Sequence, residues 1–242
     1  MLSATRAAVT SRLHEQNGFT LVELVVAMAA GMIVATSLFT ILDVSLRSTT
    51  RTFSRIDATQ RARNAIDRIG NEMHSACVAN TVIPVISGSG SNSLSFWSQY
   101  GNGVALTPVK HTVVFDSTAH TLTDNTYAVT GGSSPDWTTG ATPTSSETVL
   151  TNVDQSGSTP VFKYYSSSVT GQVLQSPTPL STTQVRDTTS VTFTLAVRPA
   201  GGSNEDASLV PDTVTNSVSL RLSPIPNAGA PNQDTKDFQP CE

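Results

Sequence analysis

Residues 24–42 are apolar apart from small or hydroxylated side chains, and a single carboxylate, Glu23, stands immediately before them. About twenty such residues are enough for an α-helix to cross the hydrocarbon core of a bilayer. No proline occurs between residues 1 and 83, so the helix can continue well beyond the apolar segment. An ionised side chain at the start of a membrane segment is costly without a partner, which makes Glu23 a candidate functional residue.

Residues 1–18 form a polar leader that carries Arg6 and Arg12. The leader lacks the apolar core that a secretory signal peptide places before its cleavage site. Because arginines beside a membrane span stay on the cytoplasmic side, we predict a cytoplasmic leader and a C-terminal bulk outside the cytoplasmic membrane. The predicted topology is a single pass.

The predicted helix covers residues 19–76, with residues 24–42 in the membrane and an amphipathic half over residues 43–76. In that half, apolar residues recur at spacings of three, four or seven, which predicts one stripe packed on a globular head. The stripe consists of Leu46, Phe53, Ile56, Ala62, Ile66, Ile69 and Met73. The other face carries an arginine run within residues 47–68, which could bind phosphates near a membrane. Partners four residues apart, such as Asp57 and Arg61, favour a solvated face instead.

Residues 77–242 are rich in Ser, Thr, Gly, Asn and Val, with short β-prone runs between turn residues. This composition predicts one antiparallel β-sheet head, because the length suits one domain. The predicted strands are residues 81–86, 94–97, 111–115, 121–123, 148–153, 161–165, 191–197 and 214–222. The predicted loops are residues 131–146, 171–183 and 201–212, followed by a tail after Pro224. The predicted fold class is α+β.

The run Gly18-Phe19-Thr20-Leu21-Val22-Glu23 resembles the prepilin peptidase site of type IV pilins and type II secretion pseudopilins. The resemblance implies cleavage after Gly18, N-methylation of Phe19 and a pilin-like fold. It also implies that Glu23, the fifth residue of the mature chain, meets the N-terminal amine of a neighbouring subunit. The partners implied are other pilin or pseudopilin subunits, the prepilin peptidase/methyltransferase and the inner-membrane assembly platform.

A looser resemblance lies in the order of the later strands. Residues 161–165, Val185, residues 191–197 and residues 214–222 with Arg221 are similar to the C-terminal half of the minor pseudopilin J and PilW-like group. Proteins of that group sit at or near a filament tip and help to start assembly. The resemblance therefore implies a minor rather than a major subunit.

The chain has two cysteines, Cys77 at the end of the predicted helix and Cys241 next to the last residue. An exported domain permits disulfides, and pilins often use a C-terminal disulfide. We expect Cys77 and Cys241 to be bonded, closing a loop of about 165 residues. The alternative is two free or differently paired thiols.

The histidines His14, His74, His111 and His120 show no spacing typical of metal ligands or of a catalytic set. His111 and His120 are interpreted as surface residues beside short strands. The acids Asp116, Asp124, Asp136 and Asp154 fall in or beside predicted loops, but none matches a calcium-binding loop. We therefore predict no enzyme activity, no metal and no cofactor.

Three aromatic residues, Trp97, Tyr100 and Trp137, could form a surface for a glycan or another partner. The simpler expectation is one buried tryptophan and one in a loop.

The predicted function is that of a structural subunit of a type IV pilus or a type II secretion pseudopilus, located in a cell-surface or periplasmic filament after assembly. The alternative is a pilus-borne adhesin or DNA-uptake receptor. The net charge is −4, and much of the positive charge lies in the leader and the helix. The head is therefore acidic, so we expect no nucleic acid as a partner.

Overall fold

The computed structural model of the protein describes residues 18–75, 84–100, 107–133, 136–168, 171–199 and 211–220. The chain divides into two units, residues 1–51 and residues 52–242. One long helix, α1 (Leu21–His74), includes residues of both units. The predicted long N-terminal helix is therefore confirmed.

Helix α1 is exposed throughout the first unit. Every described residue up to Arg51 is exposed, and large apolar side chains such as Phe39 are 73% exposed. The most apolar 18-residue window of the helix has a mean hydropathy of 2.2 and contains no buried residue. This part of α1 is long and apolar enough to cross a membrane.

The hydroxyl groups in the apolar part of α1 are satisfied within the helix. Thr36 and Ser37 donate to the carbonyl oxygens of Met32 and Ile33 at 2.9 and 2.8 Å, and Thr40 donates to Thr36 at 2.9 Å. A polar group in hydrocarbon is costly when it has no partner. Because these bonds are local, the hydroxyls are compatible with a membrane span.

The second unit contains two five-stranded antiparallel sheets. The first has the order β1-β2-β3-β4, with β5 also paired to β3, and the second has the order β10-β9-β7-β8, with β6 paired to β9. The strands are β1 (Ser93–Tyr100), β2 (Thr107–Asp116), β3 (Thr121–Ser133), β4 (Asp136–Thr139), β5 (Ser145–Thr151), β6 (Val153–Asp154), β7 (Phe162–Ser168), β8 (Gly171–Leu174), β9 (Thr188–Val197) and β10 (Asp212–Ser219). A short helix, α2 (Thr182–Asp187), precedes β9. The predicted α+β class with an antiparallel head is confirmed.

The part of α1 that belongs to the second unit contributes a stripe to the core. Its buried residues are Ala58, Ala62, Ala65, Ile66, Ile69, Gly70 and Met73. Small residues let the backbone approach the sheet closely, and a Cβ added at Gly70 would lie 3.2 Å from a methyl of Val218. The predicted stripe is wrong at its start, because Leu46, Phe53 and Ile56 are 60%, 67% and 48% exposed. The buried face of α1 begins only at Ala58.

Charged residues on α1 also meet the first sheet. Arg68 donates from both terminal nitrogens to the two carboxylate oxygens of Glu147 on β5, each at 2.6 Å. This hydrogen bonding lowers the pKa of Glu147. The predicted pair of Asp57 and Arg61 is confirmed at 2.9 Å. The Arg68–Glu147 pair is exposed to solvent, so it orients the helix on the sheet more than it stabilises the fold.

Most of the predicted strands are confirmed, and the errors concern their limits. Of residues 81–86, only 84–86 are described, and Val85 forms an isolated bridge to Phe96. Strand β3 continues to Ser133 rather than stopping at residue 123. The end of the last predicted strand, residues 221–222, and the tail after it lie outside the described residues.

Two predicted loops are wrong because each contains a strand. Residues 131–146 include the end of β3, all of β4 and the start of β5, while residues 171–183 include β8 and the start of α2. All four residues of β8 are exposed. Its sequence, Gly-Gln-Val-Leu, also shows no alternation of apolar and polar residues that would predict a strand. Helix α2 had a detectable signal, because Ser181 and Gln184 form a capping box.

The second sheet buries two aromatic residues that are opposite each other. Phe162 and Phe193 are register partners on β7 and β9, and their rings meet edge to face at 5.6 Å. Tyr164, two residues further along β7, is fully buried. Its hydroxyl donates to the carbonyl oxygens of Gly90 and Ser93, each at 3.0 Å. Burial raises the pKa of this phenol, and the bonds connect β7 to Gly90, which precedes β1, and to Ser93, the first residue of β1.

Tyr164→Phe is expected to lower the free energy of unfolding by about 1–3 kcal/mol, because two part-buried carbonyl oxygens lose a donor. The stability of the unchanged protein should also fall as the pH rises past about 10, where the unfolded phenol ionises and the buried phenol stays neutral. Urea unfolding at pH 7 and pH 10.5 measures both effects. Tyr165→Phe is the matched control, since the Tyr165 side chain is only partly buried. Equal losses in the two variants at pH 7 would contradict the role of the Tyr164 hydroxyl.

Candidate processing and assembly site

The six-residue motif lies where α1 begins. Gly18, Phe19 and Thr20 precede the helix and are exposed, with Phe19 at 85%. A side chain added at Gly18 would meet nothing within 4 Å among the described residues. The bond between Gly18 and Phe19 is therefore in a non-helical, accessible position, as a protease substrate requires. The leader before Gly18 lies outside the described residues.

Glu23 caps its own helix. Its backbone N–H donates to the hydroxyl of Thr20 at 3.2 Å, and its carboxylate accepts from the backbone N–H and the hydroxyl of Thr20, each at 3.4 Å. This reciprocal pattern is a capping box, and the helix N-terminus favours a negative charge. The sequence analysis missed this role, although the spacing of Thr20 and Glu23 is the usual signal for it.

The capping bonds are long and do not neutralise Glu23. Its carboxylate forms no ion pair with any residue in the described part of the chain. The side chains around it, such as Leu21, Val22 and Val26, are apolar and exposed. A negative charge therefore stands at the edge of an apolar surface, with no cationic partner among the residues that the structure describes.

Histidine 111 is buried, which corrects the sequence-based interpretation. His111 is 3% exposed, its ring is stacked on Phe96 with centroids 5.1 Å apart, and its Nδ1 lies 2.9 Å from an oxygen of Asp124. Asp124 is also buried, at 7%, and lies within β3 rather than in a loop. The reason is the length of β3, which continues past the predicted strand and brings Asp124 beside His111 on the core side.

His120 lies in an exposed cluster of charged side chains. Its Nδ1 is 2.6 Å from one oxygen of Asp154, and the Arg198 side chain donates to the other oxygen at 2.6 Å. Asp116 nearby accepts from the backbone N–H groups of Thr118 and Ala119, which lowers its pKa. In the described part of the chain, no group of three or more His, Cys, Asp or Glu side chains could hold a metal ion.

The side chains of the two tryptophans are in contact, although the residues are far apart in the sequence. The rings of Trp97 on β1 and Trp137 on β4 contact edge to face, with their centroids 5.6 Å apart. In a separate contact on the same sheet, the Lys110 ammonium lies 5.3 Å from the ring centre of Tyr127. The expectation of one buried and one loop tryptophan is wrong, because both are partly exposed and Trp137 lies in a strand. The side chain of Tyr100 lies outside the described residues.

Cys77, Cys241, His14 and Arg221 lie outside the described residues. The disulfide between Cys77 and Cys241 remains a prediction.

Comparison with known families supports the N-terminal motif. A family model described as the prokaryotic N-terminal methylation motif matches residues 13–39. The N-terminus carries a type IV prepilin-like motif. The match covers the end of the leader, Gly18 to Glu23 and most of the apolar segment. No curated protein and no solved structure matches the chain. The long helix and the antiparallel sheets, together with this motif, are consistent with an α+β fold of the pilin-like type.

Proposed function

We propose that the chain is a structural minor pilin or pseudopilin, cleaved after Gly18, methylated on Phe19 and assembled into a filament. The observation that carries the proposal is the methylation motif matched over residues 13–39. The accessible, non-helical position of Gly18 and Phe19 directly before α1 supports cleavage at that bond. The same motif indicates a structural protein rather than an enzyme.

Insertion in the cytoplasmic membrane comes before assembly in this proposal. The apolar first part of α1 holds the chain there, and Arg6 and Arg12 keep the leader on the side of the prepilin peptidase/methyltransferase. The head then lies outside the cytoplasm. The assembly platform in the same membrane takes the mature subunit from there into the filament.

In this proposal, assembly gives Glu23 a cationic partner, which the described part of its own chain does not supply. Cleavage creates an amine on Phe19, and the amine of one subunit pairs with the carboxylate of the next. Opposite charges attract far more strongly in an apolar medium than in water, while either charge alone in that medium is costly. The pair therefore favours assembly and sets the axial register of the subunits.

The exposed apolar surface of α1 supports the same proposal. Large side chains such as Phe39, Leu46 and Phe53 are 73%, 60% and 67% exposed. Apolar surface of this extent marks an interaction with lipid or with another protein. Neighbouring helices in a filament core would cover it.

A minor role at or near the filament tip rests on the resemblance to the J and PilW-like group. The described parts of the segments that carry it, within residues 161–165, 191–197 and 214–220, lie mostly in β7, β9 and β10. These strands are neighbours in the second sheet, which supports treating them as one structural unit. A tip subunit would help to start assembly and would be present in few copies.

Mass spectrometry of the N-terminal peptide tests the proposal, with membranes and filaments sheared from the cell surface measured separately. We expect a peptide that begins with N-methylated Phe19. Its presence in sheared filaments assigns the chain to a pilus, and its confinement to membranes assigns it to a secretion pseudopilus or an assembly initiator. A Gly18→Leu variant should keep its leader, because the side chain blocks the processed bond. An intact leader in both fractions of the unchanged protein would contradict the proposal.

A further inference from the structure

A row of large side chains crosses three strands of the first sheet. Trp97 on β1 is the register partner of Lys110 on β2, and Lys110 is in turn the register partner of Tyr127 on β3. Side chains that lie opposite each other in an antiparallel pair project from the same face of the sheet. The three side chains are therefore neighbours in one row, which extends over about 10 Å.

This row projects from the face of the sheet that is turned away from the core. Phe96 and His111, the residues directly before Trp97 and directly after Lys110, are register partners and are buried, at 1% and 3% exposed. Successive side chains of a strand point to opposite faces. Trp97, Lys110 and Tyr127 therefore lie on the outer face, and all three are partly exposed.

Trp137 joins the row from β4. Strands β1 and β4 are separated in the sheet by β2 and β3, yet the rings of Trp97 and Trp137 lie edge to face with their centroids 5.6 Å apart. Strand β3 has a register shift between Val129 and Gly131, and Gly132 has a φ of +85°. A bulge of this kind bends a strand, which accounts for the approach of β4 to β1.

The rings of Trp97, Tyr127 and Trp137, here called the aromatic patch, keep accessible surface after these contacts. An edge-to-face contact covers one face of one ring only, and the Lys110 ammonium lies over one face of Tyr127 at 5.3 Å from the ring centre. Trp137 is partly exposed, as the other two rings are. Aromatic rings gathered at a surface provide rigid apolar area for a partner.

A polar row lies beside the aromatic patch on the same face. It consists of Ser95, Thr112 and Asn125, which are register partners across β1, β2 and β3. Ser95 and Thr112 are two residues from Trp97 and Lys110, so they share their face. The hydroxyls of Ser95 and Thr112 are hydrogen-bonded to each other at 3.0 Å, and all three residues are partly exposed. Hydroxyl and amide groups both donate and accept hydrogen bonds.

A ligand that matches both rows has a flat apolar face and uncharged polar groups at its rim. A pyranose ring with equatorial substituents has this form, because its axial C–H bonds form the faces and its hydroxyls surround the edge. A β-1,4-linked chain of such rings is an extended ribbon, which suits a straight row on a sheet. Lys110 is the one charged side chain in the two rows, whereas a nucleic acid requires several cations for its phosphates.

We propose that the aromatic patch and the polar row bind a β-1,4-linked carbohydrate. The rings of the patch stack on the C–H faces of the sugar, and Asn125 and the adjacent hydroxyls exchange hydrogen bonds with its polar rim. This site is in the head and is independent of the processing of Gly18 and of the role of Glu23.

Tryptophan fluorescence tests the proposal directly, because the chain has two tryptophans and both belong to the patch. The full chain, in a detergent without sugar headgroups, is titrated with cellohexaose, chitohexaose and maltohexaose. Maltohexaose is the matched control for cellohexaose, since it has the same glucose units in an α-linked, curved chain. We expect a saturable spectral shift with at least one of the two β-linked sugars and weaker binding of maltohexaose. The stronger of the two β-linked sugars shows whether an acetamido group contributes.

Trp137→Ala removes one ring of the patch and leaves Trp97 to report binding. We expect it to weaken binding of the β-linked sugar about tenfold or more, as the loss of an aromatic anchor does. Phe53→Ala is the matched control, because Phe53 is an aromatic residue on α1 that is 67% exposed, and it should leave binding within about twofold.

Three results would overturn the proposal: no saturable shift with either β-linked sugar, equal binding of maltohexaose, or an equal loss in Trp137→Ala and Phe53→Ala. Circular dichroism of each variant checks that it is folded. The comparison of the three sugars uses the unchanged protein, so it decides the proposal whether or not Trp137→Ala folds.

Discussion

Glu23→Ala is expected to abolish incorporation into filaments while the leader is still removed and Phe19 is still methylated. Processing acts on the bond after Gly18, whereas Glu23 lies in the first turn of α1. In the proposed filament, a subunit without the carboxylate would leave the amine of its neighbour unpaired in an apolar interface. Removing one member of a buried ion pair costs about 3–5 kcal/mol, so incorporation should fall by about 100-fold or more.

The capping box provides the variants that separate the two roles of Glu23. Glu23→Gln keeps an oxygen that accepts from Thr20 but removes the charge, so it should fail to assemble as Glu23→Ala does. Thr20→Ala removes the hydroxyl that accepts from the Glu23 N–H at 3.2 Å but keeps the charge. A lost cap costs about 0.5–2 kcal/mol, so this variant should still assemble.

Immunoblots of sheared filaments and membranes measure incorporation, and mass spectrometry of the N-terminal peptide in each variant measures processing. If Glu23→Gln assembles normally while Thr20→Ala does not, Glu23 acts as a helix cap and the charge pairing is contradicted. Loss of methylated Phe19 in Glu23→Ala would instead show that Glu23 is needed for processing.

Ile66→Ala is expected to lower the free energy of unfolding of the head by about 2–5 kcal/mol. The Ile66 side chain is fully buried between α1 and the sheets. Its removal loses apolar burial and leaves a cavity that a packed core closes only in part. Alanine has a higher helix propensity than isoleucine, but this gain is only a few tenths of a kcal/mol.

Ile56→Ala is the matched control for this loss, because Ile56 belongs to the same helix and is 48% exposed. It should change the stability by less than about 0.5 kcal/mol. Urea unfolding of the full chain in detergent, followed by the fluorescence of Trp97 and Trp137, reports on the head alone. Equal losses in the two variants would contradict the packing of α1 from Ala58 onward.

The parts of the fold that were predictable have local signals. The apolar segment and the absence of proline indicated α1, and the alternation along residues 191–197 indicated β9. Strands β4 and β8 gave no such signal, because each has four residues without a sustained alternation of apolar and polar side chains, and only pairing with β3 and β7 makes them strands. The apolar periodicity at Phe53 and Ile56 led to a wrong prediction that these residues pack on the head, because periodicity alone does not show which surface covers an apolar face.

The functional candidates also divide into those with a local sequence signal and those that only tertiary packing brings together. By itself, the sequence determined the long helix, its apolar first part and the methylation motif with Gly18, Phe19 and Glu23, because each depends on residues that are close along the chain. Only the tertiary structure decided that His111 is buried beside Asp124 and that the rings of Trp97 and Trp137 are in contact. These neighbours are brought together by strand register and packing, and a shift of one residue in register would turn each side chain to the opposite face.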